Sequence, residues 1–205
     1  RCKDRGDGDI IAEVNAVIEE GVHRSAPDAK VMISDWGWRG HGDAPDIIAK
    51  LPKSVYLMSV SEWHLPIERG GVKSTVGDYS ISSVGPGPRS LAHWKVAMDL
   101  GLKTGTEIQF NNTCEIASIP YLPVLDLVAE HCNNLESQAN LDALFIGWTM
   151  GGHPSPNLLI PQRFGKKPTP SIDTVLDEIA KERFGEAGAP HARKEWKLMS
   201  DAYRE

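Results

Sequence analysis

Tryptophan, carboxylate and amide side chains are concentrated in four short segments of the chain. These are residues 35–39 (DWGWR), 61–64 (SEWH), 111–115 (NNTCE) and 147–152 (GWTMGG). They contain four of the six tryptophans, which chance would scatter along the chain. Aromatic faces stack on the apolar C–H faces of pyranose rings, and Asn, Asp and Glu bind hydroxyl groups. The four segments therefore predict a carbohydrate site.

The side chains of these segments divide into two predicted roles. The candidates for acid chemistry are Glu62 and Glu115. The candidates for substrate contacts are Asp35, Trp36, Trp38, Trp63, His64, Asn111, Asn112 and Trp148. In this prediction the tryptophans form the walls of sugar subsites, and the asparagines hold hydroxyls near the reacting sugar.

Structural alternatives are open for several of these residues. The two tryptophans of the first segment could simply close the mouth of the fold. The two asparagines of the third segment could cap loop backbone. Each glutamate could instead pair with Arg39 or Arg69 in a buried network.

The histidine and cysteine spacings do not predict a metal site. His41, His64 and His153 each follow a predicted strand, but the sequence has no H-x-H or H-E-x-x-H grouping for a catalytic zinc. The three cysteines are too few for a disulfide framework and lack the spacing of a zinc site. The acidic residues 4–9 lack the twelfth-position Glu of a calcium loop. We therefore predict no metal and no cofactor.

The elements that position these segments alternate between strand and helix. Short apolar runs predict strands at residues 30–35, 54–62, 106–111 and 141–148. Helical spacing of apolar residues predicts helices at 9–23, 89–100 and 123–135, with a single turn at 46–51. This alternation, without hairpin signals, predicts a parallel sheet with right-handed crossovers.

A (β/α)8 barrel is the predicted form of this α/β fold. The rival doubly wound sheet would normally carry a Gly-rich phosphate turn after its first strand, and the sequence has none. The four strands make residues 1–165 the C-terminal half of a barrel, with a loop insert at 64–88 that contains a short strand at 79–82. Residues 166–205 form a helical segment after the barrel, with helices at 172–184 and 191–203.

Composition excludes several classes of function. The net charge of −6 gives no basic surface for nucleic acid. No apolar run approaches the roughly 20 residues that span a bilayer, and residues 1–9 lack the apolar stretch of a signal peptide. The chain starts at Arg1 and stops within a helical pattern, so we interpret both ends as cuts and expect the N-terminal half of the barrel to be missing.

The order of these motifs resembles a known family. D-W-G-W, S-E-W, Q-F-N-N-T-C-E followed by P-Y-L-P-V, and G-W-T-M-G-G resemble bacterial glycoside hydrolase barrels. They look closest to the group related to family 20 β-hexosaminidases and to the endo-β-N-acetylglucosaminidases described under a domain of unknown function. The stretches at 77–88 and 184–196 also look similar. The resemblance implies hydrolysis of β-glycosidic bonds, with N-acetylhexosamine as a candidate sugar and an oligo- or polysaccharide as substrate.

The resemblance also implies roles for the carboxylates. The four strands would be the fifth to eighth of the barrel, and the general acid would precede Arg1. Glu115 then matches the position of the nucleophile in the large clan of retaining glycosidases, and Glu62 is a second carboxylate that is catalytic or binds a sugar hydroxyl. A secreted or periplasmic location is implied as well.

Three rival functions are left open by the sequence. One is a carbohydrate-binding barrel without catalysis, the second is a metal-dependent barrel enzyme of another class, and the third is a purely structural barrel domain. We also expect a half-barrel on its own to be inactive or poorly folded, because it exposes two strand edges.

Overall fold

The computed structural model describes residues 4–113, 116–147 and 153–204. The elements along the chain are α1 (Asp7–Ser25), β1 (Met32–Ser34), α2 (Pro45–Ile48), β2 (Tyr56–Val60), β3 (Pro66–Arg69), β4 (Val72–Thr75), α3 (Pro88–Asp99), β5 (Lys103–Ile108), α4 (Leu125–Gln138), β6 (Ala143–Ile146), a 3-10 turn (Pro156–Leu159), α5 (Ile160–Phe164) and α6 (Ile172–Arg204).

The contacts divide the chain into two compact units. Unit 1 comprises Arg1–Val60, Pro88–Glu107 and Leu141–Phe145, and unit 2 comprises Ser61–Gly87, Ile108–Asn140 and Ile146–Glu205. The predicted division at residue 165 gives two domains that are each one continuous segment, whereas each of these units is assembled from separated segments. The two-domain assignment of the sequence therefore stays a prediction.

A four-stranded sheet in the order β1-β2-β5-β6 is the centre of unit 1. The β1–β2 and β2–β5 pairs are parallel, with Met32 opposite Tyr56 and Tyr56 opposite Lys103. The predicted α/β class with parallel strands is thus confirmed. All four predicted strands are present, although β5 begins at Lys103, three residues before the predicted start at 106.

The core of unit 1 lies between this sheet and its helices. The indole N–H of Trp94, on α3, donates to the carbonyl of Gly105 in β5 at 2.9 Å. The buried apolar cluster consists of Val31, Ile33, Trp38, Ala44, Ile47, Ile48, Leu51, Val55, Leu57, Ala97 and Leu102. Burial of this apolar area is the main driving force for the unit.

The helices of unit 1 confirm three predicted segments to within a few residues. Asp7 and Asp9 lie in the first turn of α1, where acidic side chains complement the helix dipole. The chain after α3 turns at Gly101, which has a φ of 75°. A left-handed residue of this kind commonly ends a helix because glycine adopts it without strain.

Unit 2 contains an antiparallel hairpin that the sequence analysis missed. β3 and β4 pair so that Arg69 faces Val72, which leaves Gly70 and Gly71 as the two turn residues. Both have positive φ, 55° and 79°, as a type I′ turn requires. The predicted strand at 79–82 is wrong, since these residues form turn and irregular structure.

Unit 2 also contains α4, α5 and α6, which are in mutual contact. The predicted pair of helices at 172–184 and 191–203 is confirmed within α6, whose helical conformation breaks at Gly185 with φ 69° and ψ 174°. Arg193 bridges the break by bonding Asp173 at 3.0 Å and Asp177 at 2.8 Å. Within the described ranges, no helix combines the length and apolar character needed to cross a membrane.

Candidate functional site

The predicted site residues are distributed between the two units. Asp35, Trp36 and Trp38 belong to unit 1, directly after β1. Unit 2 holds Glu62, Trp63, His64, Asn111 and Asn112. Glu115 and Trp148 lie outside the described residues, so their roles stay predictions.

Asp35 is the centre of a buried polar cluster in unit 1. Its side chain has no exposed surface, and its Oδ2 accepts a hydrogen bond from the Ser59 hydroxyl at 2.5 Å. The same Oδ2 lies 2.6 Å from Nδ1 of His93, on α3. The other ring nitrogen of His93, Nε2, lies 2.9 Å from the carbonyl oxygen of Gly42.

These contacts determine where protons lie in the cluster. A carbonyl oxygen only accepts, so Nε2 of His93 must carry a proton. The close approach of Nδ1 to the Asp35 carboxylate requires a second proton between them, on the ring or on the carboxyl group. Arg89 adds a positive charge, with Nη1 at 3.6 Å from Oδ1 of Asp35. Burial lowers the pKa of the Arg89 guanidinium, and the Asp35 carboxylate opposes that shift.

The two tryptophans that follow Asp35 differ in environment. Trp36 is 42% exposed, and the Arg39 guanidinium lies 4.9 Å from its ring centroid in a cation–π contact. Trp38 is only 5% exposed and packs at 6.2 Å from the ring of His93. Trp36 therefore has a ring edge or face available in this unit. The subsite role of Trp38 stays a prediction that its burial does not support.

Glu62 is a buried carboxylate in unit 2. It is 1% exposed, and its Oε1 accepts a hydrogen bond from the backbone N–H of Ser80 at 2.9 Å. Trp63 beside it is 3% exposed and meets the exposed His64 ring edge-on at 5.8 Å. Trp63 is thus covered by protein atoms, as Trp38 is, and its role as a subsite wall stays a prediction.

Asn111 and Asn112 hold loop backbone in unit 2. Nδ2 of Asn111 donates to the carbonyl of His153 at 3.0 Å, and its Oδ1 accepts from the Ser155 hydroxyl. Nδ2 of Asn112 donates to the carbonyls of Ala117 and Ile119 at 3.3 and 3.1 Å. These bonds fit the loop-capping alternative for both residues, and their contact with a sugar stays a prediction.

A second buried pair in unit 2 was not predicted. The hydroxyl of Ser61 lies 2.7 Å from Nε2 of His131, on α4. Burial lowers the pKa of His131 to about 3, so the ring is neutral at ordinary pH. A Cβ at Gly85 would lie 2.7 Å from that Nε2, so a side chain there would require the His131 ring to shift. No sequence signal marks this pair, because its partners are 70 positions apart.

A cavity of about 320 Å³ opens within unit 2. It is lined by Ser80, Ser82, Thr113, Ile116, Ala202 and Tyr203. The hydroxyls of Ser80 and Ser82 lie 2.8 Å apart. Ser80 thus contributes its side chain to the cavity wall and its N–H to the Glu62 carboxylate. Sequence reasoning missed the cavity, because isolated serines and one tyrosine carry no spacing signal.

Comparisons of this chain with protein-family models, with curated proteins and with solved structures found no match. Among residues 4–113, 116–147 and 153–204, no three His, Cys, Asp or Glu side chains are grouped so as to hold a metal ion.

Proposed function

We propose that this chain carries part of the catalytic centre of a glycoside hydrolase that cleaves β-glycosidic bonds by carboxylate chemistry. One observation carries the proposal: the Glu62 carboxylate is fixed by the backbone N–H of Ser80, whose side chain lines a hydroxyl-rich cavity. Glycoside hydrolysis uses carboxyl groups held in position at the scissile bond, and side-chain hydroxyls can bind the hydroxyls of a sugar.

The proposal gives different roles to Glu62 and Glu115. A backbone N–H stabilises negative charge on the oxygen that accepts it. An ionised carboxylate acts as a nucleophile or base, or it binds a sugar hydroxyl, whereas a general acid must hold a proton. We propose Glu62 as the second carboxylate, which is either catalytic or binds a sugar hydroxyl. Glu115 is the nucleophile implied by the family resemblance.

We further propose that the sheet of unit 1 is part of a (β/α)8 barrel, with its strands as the fifth to eighth. Apolar side chains at its two edge strands support this. Leu144 and Phe145 in β6 are 38% and 44% exposed, and Met32 in β1 is 38% exposed. Exposed apolar edge strands are unfavourable in an isolated sheet, and additional barrel strands would cover them.

A carbohydrate-binding protein without catalysis is the second candidate. The observation that favours it is the burial of Glu62, which is only 1% exposed. In this candidate the covered carboxylate has a structural role, which includes accepting the hydrogen bond from the Ser80 N–H. In that case the cavity would bind a sugar, and neither glutamate would take part in bond cleavage.

Glutamine substitutions in the intact protein separate the two candidates. We expect Glu62→Gln and Glu115→Gln each to lower the rate of aryl β-glycoside hydrolysis by about 10²–10⁴-fold, with substrate binding retained. Glu68→Gln is the matched control, since Glu68 is an exposed carboxylate on β3 of the same unit. Sugar binding without any hydrolysis by the unsubstituted protein would establish the non-catalytic candidate, and hydrolysis unchanged by both substitutions would exclude the two glutamates as catalytic groups.

A further inference from the structure

We infer that Tyr121 and His153, both in unit 2, form a stacking platform for one pyranose ring of a glycan, and that the buried Asn111 holds this platform in position. The choice of a sugar as ligand rests on the proposed function, whereas the place of the site comes from the two rings themselves. Neither ring is among the predicted site residues. Asn111 acts here as a positioning residue, through the backbone that carries the rings.

The two rings present parallel aromatic surfaces. Their planes are 3° apart, and their centroids lie 5.9 Å apart. Rings in full face-to-face contact would have their carbon atoms about 3.5–4.0 Å apart, so these two rings do not lie squarely against each other. The His153 side of the pair is exposed, and Tyr121 is partly exposed. The pair therefore offers aromatic surface to a ligand.

The chemistry of the two side chains favours a ring that carries hydroxyls. The face of an aromatic ring is electron-rich, so it attracts the C–H groups on one side of a pyranose. The Tyr121 hydroxyl and the ring nitrogens of His153 can donate or accept hydrogen bonds, and within the described ranges none of them is already bonded. A sugar can use both the stacking surface and these polar atoms, whereas a flat aromatic ligand without hydroxyls uses only the first.

Asn111 holds the backbone beside both rings. Its carbonyl oxygen accepts the N–H of Leu122, directly after Tyr121, at 2.5 Å. Its Nδ2 donates to the carbonyl oxygen of His153 at 3.0 Å. Because Asn111 is only 5% exposed, water competes little for these bonds, which are stronger in a less polar surrounding. One buried residue thus links the segment after β5 to the segment after β6.

Two further buried side chains secure the same two segments. The Ser155 hydroxyl donates to Oδ1 of Asn111, and Nδ2 of Asn157 donates to the carbonyl oxygen of Leu122 at 2.8 Å. Leu122 and His153 each precede a proline, which restricts the backbone of the residue before it. Backbone held in this way loses little conformational freedom when a ligand binds, and such preorganisation favours affinity.

NMR titration of the intact protein, with isotope-labelled histidine, tests the inference. The sugar probes are cellobiose and N,N′-diacetylchitobiose, and indole serves as a flat aromatic probe without hydroxyls. We expect at least one disaccharide to bind and to shift the ring signal of His153, which is identified by its loss in His153→Gln. The ring signal of His191, an exposed residue on α6, should stay unchanged in the same titration.

Substitutions separate the roles of the three residues. Tyr121→Ala and His153→Ala should each weaken disaccharide binding about two- to tenfold, because each removes a stacking surface, and Tyr121→Phe should retain most of the affinity. Asn111→Ala should weaken binding and also shift the His153 signal of the free protein, since it removes the bond to that carbonyl. Phe184→Ala is the matched control. Phe184 is an exposed ring of the same unit, 6.1 Å from Trp196 with the planes 62° apart.

The inference is overturned if neither disaccharide shifts the His153 signal, if only indole does, or if Tyr121→Ala and His153→Ala both bind like Phe184→Ala. Wild-type affinity in Asn111→Ala overturns its positioning role. Thermal unfolding identifies a folding defect in any variant, and the titration of the unsubstituted protein provides the test if a variant does not fold. Failure of the proposed function is distinguishable. Glycoside hydrolysis without a shift at His153 contradicts only the platform, and a shift at His153 without hydrolysis contradicts only the enzyme.

Discussion

Nδ1 of His93 lies 2.6 Å from Oδ2 of Asp35, and neither side chain exposes any surface to solvent. This contact joins α3 to the residue that directly follows β1, and the Ser59 hydroxyl donates a hydrogen bond to the same carboxylate oxygen. Buried charge of this kind is stable only while its partners remain. The cluster therefore fixes the conformation at the end of β1, including the turn that carries Trp36.

Removing His93 should destabilise the protein strongly. His93→Ala leaves the Asp35 carboxylate buried with one partner fewer, and we expect the free energy of unfolding to fall by about 3–5 kcal/mol. Urea denaturation measures this, with His191→Ala as control because His191 is exposed on α6. A loss of unfolding free energy in His93→Ala that is within about 1 kcal/mol of the loss in His191→Ala would contradict the stabilising role of the cluster. Substitutions at exposed positions typically change stability by less than this amount.

The buried His131 should make stability depend on pH. Burial lowers its pKa to about 3 from 6.5, so the unfolded chain binds the proton first as pH falls. The contribution of the neutral His131 ring to the free energy of unfolding is fully present above pH 6.5. It is lost progressively as the pH falls toward 3.

Comparison with a variant isolates this dependence. Below pH 6.5, the difference in unfolding free energy between wild type and His131→Gln should narrow by about 1.4 kcal/mol for each pH unit. His191→Gln serves as the exposed control, and its difference from wild type should stay nearly constant. A constant difference for His131→Gln as well would mean that the ring is not buried as a neutral group.

Cys132 should be chemically inert in the folded protein. Burial raises the pKa of its thiol to about 12, and the thiolate is the reactive form. Peptide mapping by mass spectrometry after iodoacetamide treatment at pH 8 should show Cys132 unmodified in buffer and alkylated in urea. Rapid alkylation in buffer would show that α4 opens readily or that the thiol is accessible.

Gly87 should not tolerate a side chain. A Cβ there would lie 2.6 Å from the carbonyl oxygen of Trp63 and 3.3 Å from the amide nitrogen of Leu65. Both contacts are backbone atoms, so Gly87→Ala must displace the segment that carries Glu62.

We expect Gly87→Ala to lower the free energy of unfolding by about 1–3 kcal/mol and to reduce turnover. Gly77→Ala is the matched control in the same loop, since a Cβ at Gly77 meets nothing within 4 Å. Thermal unfolding and hydrolysis rates measure the two effects. Equal melting temperatures for the two variants would contradict the close approach at Gly87.

Local patterns predicted the secondary structure because they depend on neighbours in sequence. The apolar runs before Asp35 and around Leu57 identified buried strands, and their alternation with helices predicted the parallel order. The hairpin was not predicted, because Gly70 and Gly71 lie in a stretch rich in Gly, Ser and Pro, and that composition is typical of a loop.

Tertiary relationships of the candidate site could not be predicted in the same way. The Asp35–His93 and Ser61–His131 pairs join positions 58 and 70 residues apart, and no spacing rule connects them. The clustering of tryptophans was also ambiguous, since Trp36 is exposed and Trp38, two residues on, is buried. Whether an aromatic ring faces solvent or core depends on the packing around it.

The most direct test of the central claim is the release of p-nitrophenol from a panel of p-nitrophenyl β-glycosides by the intact protein, with and without a metal chelator. The account predicts release from at least one β-glycoside, unaffected by the chelator and lost in Glu62→Gln. Release that the chelator abolishes would show a metal-dependent enzyme instead, and no release from any glycoside in the panel would contradict the proposed hydrolase.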